Sequence, residues 1–430
     1  MRHKPPNPKG APAYIRGGFV SIWQGVMRLK GTNAGAFIMY GLLFDMVNHM
    51  WRPFAPVFLE RLGGSDMHFS LLNALPGLVG AFVLLPGALL FRKFTDQKRA
   101  TALFIFLSRL LLLALASIPA MPRELGPLLF VALVAIMNCP DALSQTSLQS
   151  LLGSVFNGSE RGQAIALRTK FGQAVIPAVT ILSGLAITFI PADDAQRMVM
   201  YQIFFAFAFG LGLVEIFVFN KLKVGGAAAE AGPRLPEKPL GQLLAISRDR
   251  VFRKFFVPAL CFTFTWQAAW PLFSIYQVRV LEATEMWFAV YALMAGIGAL
   301  MSGGFWQRLL RRRGNGATLV VAAGLISLNA LVLPFVPNVQ MMALMSLFGG
   351  FFAIGINTAM LNGVLEATPD GNRMMYLAFY NTALNVSLFL APIFAAVLLA
   401  RTNIAAALVS IGFMRLCATA FIWFAGRRGP

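Results

Sequence analysis

The chain has 430 residues, 58% of them hydrophobic and only 12% charged, with a formal net charge of +19. The charged share is about half that of a soluble globular protein, too little polar side chain to cover a water-facing surface, so the chain is read as a membrane protein. Its apolar runs are roughly twenty residues long without strict alternation, which predicts transmembrane helices and argues against a barrel.

In chain order, residues 1–15 are rich in Pro and basic residues and are expected to be disordered. Phe19 to Leu29 mixes apolar residues with basic ends and suits an interfacial helix; no signal-peptide pattern accompanies it. The first span, 33–58, is unusually polar: Asp45, Asn48, His49 and Arg52 lie within it or near its outer end, so part of it should face something other than lipid. Further spans are predicted at 68–91, 100–118, 126–150, 166–190 and 198–220, and then at 255–277, 286–308, 316–335, 339–364, 374–399 and 403–425. The fold class is therefore an all-α polytopic membrane protein of twelve transmembrane helices in two pseudo-symmetric six-helix bundles. Residues 1–32 form a cytoplasmic tail, 33–220 the first bundle, 221–254 a cytoplasmic linker rich in Gly, Ala and Pro, and 255–430 the second bundle with a short tail.

The basic residues are sorted by side. Arg92, Lys93, Lys98, Arg99, Arg161, Arg168, Lys170, the Lys and Arg residues of the linker, and Arg308, Arg311, Arg312 and Arg313 fall in even connections; the odd ones hold only Arg52, Arg61, Arg123, Arg197, Arg279 and Arg401. The positive-inside rule then puts both termini in the cytoplasm. A charge spread in this way points to a membrane and not to nucleic acid.

Two stretches repeat each other. Asp66, Met67, Phe69 and Gly77 align with Glu285, Met286, Phe288 and Gly296 at one constant offset, which tightens by three where Gly87 and Arg92 meet Gly303 and Arg308. Such a repeat suggests two similar halves. Gly87, Leu89 and Arg92 after the second span, and Gly303, Arg308, Arg311 and Arg312 after the eighth, carry a basic turn motif, and on these residues the chain resembles the major facilitator superfamily of secondary transporters across residues 33–425. Phe91 and Gln307 stand where that family has an acid, with Asp96 as a displaced carboxylate. The resemblance implies a cytoplasmic gate at Arg92, Asp96, Arg161, Arg308, Arg311 and Arg373, and a central cavity lined by the first, fourth, seventh and tenth spans.

The candidates for proton coupling are Asp45 and Asp141, since a carboxylate inside a membrane helix needs a partner, water or a proton. Asp45 has a structural alternative, pairing with Arg109 or His49, and Glu215 one with Arg415. Substrate-cavity candidates are Asn48, Arg109, Gln267, Trp270, Asn357 and Tyr380, which supply hydrogen bonds and aromatic faces for an organic or amphipathic solute. Gly77, Gly80, Gly87, Gly296, Gly298, Gly303 and Gly304 would permit close helix approach.

No phosphate-binding loop or HExxH appears, and His3, His49 and His68 are too scattered for a zinc centre. The expected protein is not an enzyme, needs no metal or cofactor, and works as a monomer with membrane lipids, a small organic solute and protons as partners. It is placed in a bacterial inner membrane as a secondary transporter, with efflux preferred. The competing readings are a lipid or lysolipid flippase and a nontransporting receptor or scaffold.

Overall fold

The computed structural model describes residues 32–91, 94, 96–156, 158–223, 246–369 and 373–427. The proposed interfacial helix, Arg92 and most of the linker lie outside them. The described residues are almost entirely helical, with no strand among them. In chain order the helices are α1 Asn33–His49, α2 Ala55–Arg61, α3 Asp66–Phe91, α4 Gln97–Ser117, α5 Gly126–Val155, α6 Gly158–Phe189 and α7 Asp194–Asn220. There follow α8 Arg250–Ile275, α9 Glu285–Val332, α10 Val339–Glu366, α11 Arg373–Arg401 and α12 Ile404–Arg427. Among the described residues eight of them, α4 to α7 and α9 to α12, are long and apolar enough to cross a membrane by length and composition.

Short polar residues cap the start of five of these helices. Thr32, Asp96, Asp193, Asp249 and Asn338 each accept a bond from a backbone N–H of the first turn, at α1, α4, α7, α8 and α10 respectively, filling donors that a helix start leaves unpaired. The expected continuous span 33–58 is interrupted instead. After α1, a 3-10 turn at Arg52–Phe54 precedes α2. Pro53 and Pro56 explain this, since neither has an N–H to continue the ladder and each is tolerated only in a first turn.

The 48 residues of α9 would be about 72 Å long if straight, against a hydrocarbon core of about 30 Å. Gly314, at φ 76°, breaks the helix. Neighbouring residues of α10 touch both legs: a methyl on Gly349 would meet Asn329 Nδ2 at 3.3 Å, and one on Gly350 would overlap the carbonyl oxygen of Ala295. Residues so far apart in α9 can share one spot on α10 only if the chain doubles back at Gly314.

Helix contacts sort along the chain. α1 packs on α6 and α7, α4 on α5 and α7, and α3 on α5; later, α8 packs on α11 and α12, and α9 on α10 and α12. The earlier and later sets meet mainly along α3–α11 and α6–α9. At one end of the helices a single apolar core runs through both sets, joining Phe54, Phe58, Phe69, Tyr201 and Phe205 to Leu272, Tyr276, Phe288, Leu399 and Leu408. At the other end the cores are separate among the described residues. Phe37, Tyr40, Leu152 and Phe219 cluster in the earlier set, and Ile246, Phe252, Val364 and Tyr376 in the later one.

The small-residue positions divide into two kinds. A methyl at Gly77 would lie 2.6 Å from Phe389 N, and one at Gly80 would strike Asn385, so both let α3 meet α11; Gly298 likewise meets the backbone of Leu347. Gly296, Gly303 and Gly304 face open space and permit no close helix approach. The side-chain surroundings at Gly87 lie outside the described residues.

Candidate functional site

Asn48 and Asp141 converge on one cavity of ≈ 460 Å³, walled also by Phe44, Arg52, Gln145 and, from the later set, Asn385. Arg52 Nη2 donates to Asp141 Oδ2 at 2.8 Å, and Ser108 Oγ donates to Oδ1 at 2.5 Å. The Nε of Arg52 is buried with no partner among the described residues. The cavity thus presents amides, an aromatic face and one arginine donor, with that arginine's charge balanced by Asp141.

Arg109 does not line this cavity. It lies behind Asp141, 3.4 Å from Oδ1, and donates to Glu215 at 2.8 and 3.2 Å. All of this is nearly dry: the side chains of Arg109 and Glu215 are 2% and 0% exposed. Arg415, one of the alternatives for Glu215, is therefore not its partner, because α7 packs on α4. Gly212, one turn before Glu215 and on the same face, leaves room for the stem of Arg109, which a methyl there would approach to 2.6 Å. Arg415 is buried too, and donates to the carbonyls of Thr265, Trp266 and Ile326.

Asp45 repeats the arrangement of Glu215. Its partner is neither Arg109 nor the His49 ring but Arg168 of α6, at 3.1 Å, and Gly41, one turn earlier, gives Arg168 its passage. The remaining cavity candidates are dispersed. Gln267 is buried and accepts from Ser387 Oγ at 2.7 Å, and the Tyr380 hydroxyl is 3.9 Å from Met360 sulfur. Trp270 and Asn357 are exposed, and none of these four walls the cavity.

A second constellation closes the end where the two sets share a core. Arg61, the last residue of α2, donates to Glu285 at 2.8 Å, and Glu285 is fully buried, also receiving the Tyr201 hydroxyl at 3.0 Å. Arg279, in a π-helical turn that extends α8, donates back to Glu60 at 2.9 Å, to the Gly64 carbonyl at 2.5 Å and to Asp66. Each arginine crosses from its own set to the acid that starts the other set's helix, α9 or α3. Those acids, Asp66 and Glu285, are the paired residues of the sequence repeat.

The sequence profile of the Major Facilitator Superfamily matches residues 34–362. The chain belongs to the Major Facilitator Superfamily. No curated protein matches it in sequence. Among solved structures it is similar to the nucleoside transporter NupG, with a TM-score of 0.72 at 11% identity over 92% of this chain and 100% of that one. It is similar to a POT family transporter in complex with thioalcohol conjugated peptide, with a TM-score of 0.66 at 12% identity over 92% of this chain and 96% of that one. A bacterial homolog to the human lysosomal transporter Spinster, inward-facing and unoccupied, scores 0.63 at 14% identity over 92% and 96%. These likenesses establish the fold.

In this major facilitator the expected gate residues keep apart. Asp96 caps α4 and pairs with Arg99 of the same helix at 3.0 Å, so its carboxylate is taken up locally. Arg161, Arg308 and Arg311 are exposed, without a carboxylate at bonding distance among the described residues. Arg92, and the side chain of Arg373, lie outside the description. Nearby, Asp249 caps α8 and accepts from the Tyr376 hydroxyl at 2.7 Å, which chiefly holds its carboxyl below the usual value. Among the described residues no group of three or more His, Cys, Asp or Glu could hold a metal ion.

The Arg61 and Arg279 clasp is not among the sequence expectations. A partial signal lies in the sequence: arginines in connections that otherwise hold few basic residues need local acids, and the repeat matches Asp66 with Glu285.

Proposed function

We propose that this protein is a secondary transporter of a bacterial inner membrane, moving a small organic solute by alternating access between two six-helix bundles. Counting α1 with α2 as one span, and the legs of α9 as two, brings each bundle to six spans and the chain to twelve. The bundles cover residues 33–220 and 255–430, with 221–254 as the linker. The packing of Ile246 and Phe252 with Val364 supports counting the end of that linker with the second bundle.

The reciprocal clasp of Arg61 and Arg279 carries the reading. Two buried or half-buried ion-pair sets and a shared core hold the bundles together at one end, while their cores stay separate at the other. The exposed arginines of the open end make it cytoplasmic by the positive-inside rule, so this conformation is inward-open. Release of the clasp and approach of the bundles at the cytoplasmic end would give the outward-open form.

The solute contacts are Asn48, Gln145, Asn385 and Arg52, whose unpartnered Nε suits a hydrogen-bond acceptor on the solute. Asp141 is held by Arg52, Ser108 and Arg109 and is assigned the positioning of Arg52. Asp45 is assigned proton exchange. A proton there removes the charge that holds Arg168, loosening α1 from α6, and α6 also forms part of the seam between the bundles.

The test is flux of ethidium, uridine and dialanine in proteoliposomes under an imposed proton gradient, for the native protein and Asp45→Asn. Gradient-driven movement of at least one solute, falling to the level of protein-free vesicles in the variant, is expected. Equal flux in both removes Asp45 from coupling. Translocation of a fluorescent lysolipid, with no flux of the three solutes, would replace the solute reading with a flippase.

A further inference from the structure

We propose that the outer seam between α8 and α12 is a binding site for an anionic phospholipid. Two cavities lie along this seam and share Phe421. The first, ≈ 790 Å³, is bordered by Arg250, Arg253 and Lys254 at the start of α8, with Phe421 and Phe424 of α12 opposite. The second, ≈ 660 Å³, continues along the same helices between Cys261, Phe264, Phe413 and Cys417, and its walls are almost wholly apolar.

The order of these walls selects the ligand. Basic groups stand at one end only, and the groove beyond them offers nothing to a polar molecule. From Val257 to Thr265 the apolar part runs about 12 Å along α8, at 1.5 Å per residue, close to the ~15 Å half-thickness of the hydrocarbon core. A molecule that fills both parts carries a negative headgroup on an acyl chain of one leaflet.

Charge complementarity supports the same occupant. Arg250 and Arg253 are exposed, and their guanidiniums have no carboxylate partner among the described residues. The neighbouring acid, Asp249, is taken up by the α8 backbone and Tyr376. Basic clusters at a membrane surface attract anionic lipid by about 1 kcal/mol per residue. Phe413, Phe421 and Phe424 are all exposed along the groove, where acyl chains would cover them. With the topology proposed above, that leaflet is the cytoplasmic one; only this placement rests on that topology, and binding itself can be measured without transport.

The experiment uses the purified full chain in detergent, with dioleoylphosphatidylglycerol, dioleoylphosphatidylcholine or inorganic phosphate added. Native mass spectrometry counts retained lipid, and maleimide labelling of Cys261 and Cys417 reports whether the groove is covered. Phosphatidylglycerol should remain bound and slow labelling of both cysteines, whereas phosphatidylcholine and phosphate should not. Replacing two arginines, Arg250→Gln with Arg253→Gln, should weaken phosphatidylglycerol about 30-fold, two residues at about 1 kcal/mol each. Both side chains are exposed, so folding should survive; Phe421→Ala tests the apolar wall separately. Equal retention of the two lipids, undiminished phosphatidylglycerol binding in the double variant, or protection by phosphate alone would each overturn the proposal.

Discussion

Arg61 Nε lies 2.8 Å from Glu285 Oε1 although 224 residues separate them in the chain. Arg279 returns the contact in the opposite sense, from the later helices to Glu60 and Asp66 of the earlier ones. The two links differ in depth. Glu285 is fully buried, while Glu60 and Asp66 keep 35% and 42% of their side chains exposed. That difference sets how much each contributes to holding this end closed.

Arg61→Gln should open the clasp. It leaves a buried carboxylate without its cation, which costs about 3–5 kcal/mol, whereas Arg279→Gln removes half-exposed pairs worth about 0.2–1 kcal/mol each. Spin labels at Ser65→Cys and Leu281→Cys, with the native cysteines replaced, should report a longer distance in Arg61→Gln and a smaller population shift in Arg279→Gln. An unchanged distance in both variants would remove the clasp from gating.

Arg109→Gln should lower thermal stability in detergent more than any exposed arginine substitution, by about 3–5 kcal/mol, because Glu215 would be left unpaired in a dry site. The double replacement Arg109→Met with Glu215→Leu should recover most of that loss, since no charge is then stranded. Melting followed by tryptophan fluorescence checks both. A double variant as unstable as the single one would contradict this account.

The glycines separate into two groups with opposite expected effects. Gly298→Ala overlaps the backbone at Leu347 and should cost about 1–3 kcal/mol through forced separation of α9 and α10. Gly303→Ala meets nothing within 4 Å and should be neutral or stabilising by up to about 1 kcal/mol, from helix propensity. Parallel thermal melts of the two variants decide the matter.

The Asp249 cap should show in the acid limb of stability. Its folded carboxyl titrates below its unfolded value, so its contribution is complete above the ordinary carboxylate pKa of about 3.9 and is lost as pH falls through the lower folded value. Asp249→Ala should cost about 1 kcal/mol at pH 7, the typical loss of a helix cap, and the gap to the native protein should narrow at acid pH. A pH-independent gap in melting temperature would assign the effect to something other than ionisation.

Much of the helical plan was legible in one dimension. Long apolar runs specify membrane helices because backbone groups in lipid have no other partner. The interruption after His49 was also present as Pro53 and Pro56, though composition alone merged the pieces into one span. Asn48 and Asp141 stand out in the sequence as polar residues in apolar helices, and both line the cavity.

The partners were not legible. Asp45 had Arg109 and His49 as sequence candidates, but the charge that reaches it is on Arg168, across a path left open by Gly41. Glu215 went to Arg109 because α7 lies on α4. The sequence by itself determined that this chain consists of membrane helices with two repeated segments, since hydrophobic length and residue spacing are local properties. Only the tertiary structure decided which buried charges neutralise one another and which end is clasped. Those choices depend on which helices touch, and an ion pair of a few ångströms carries no trace of its partner's position along the chain.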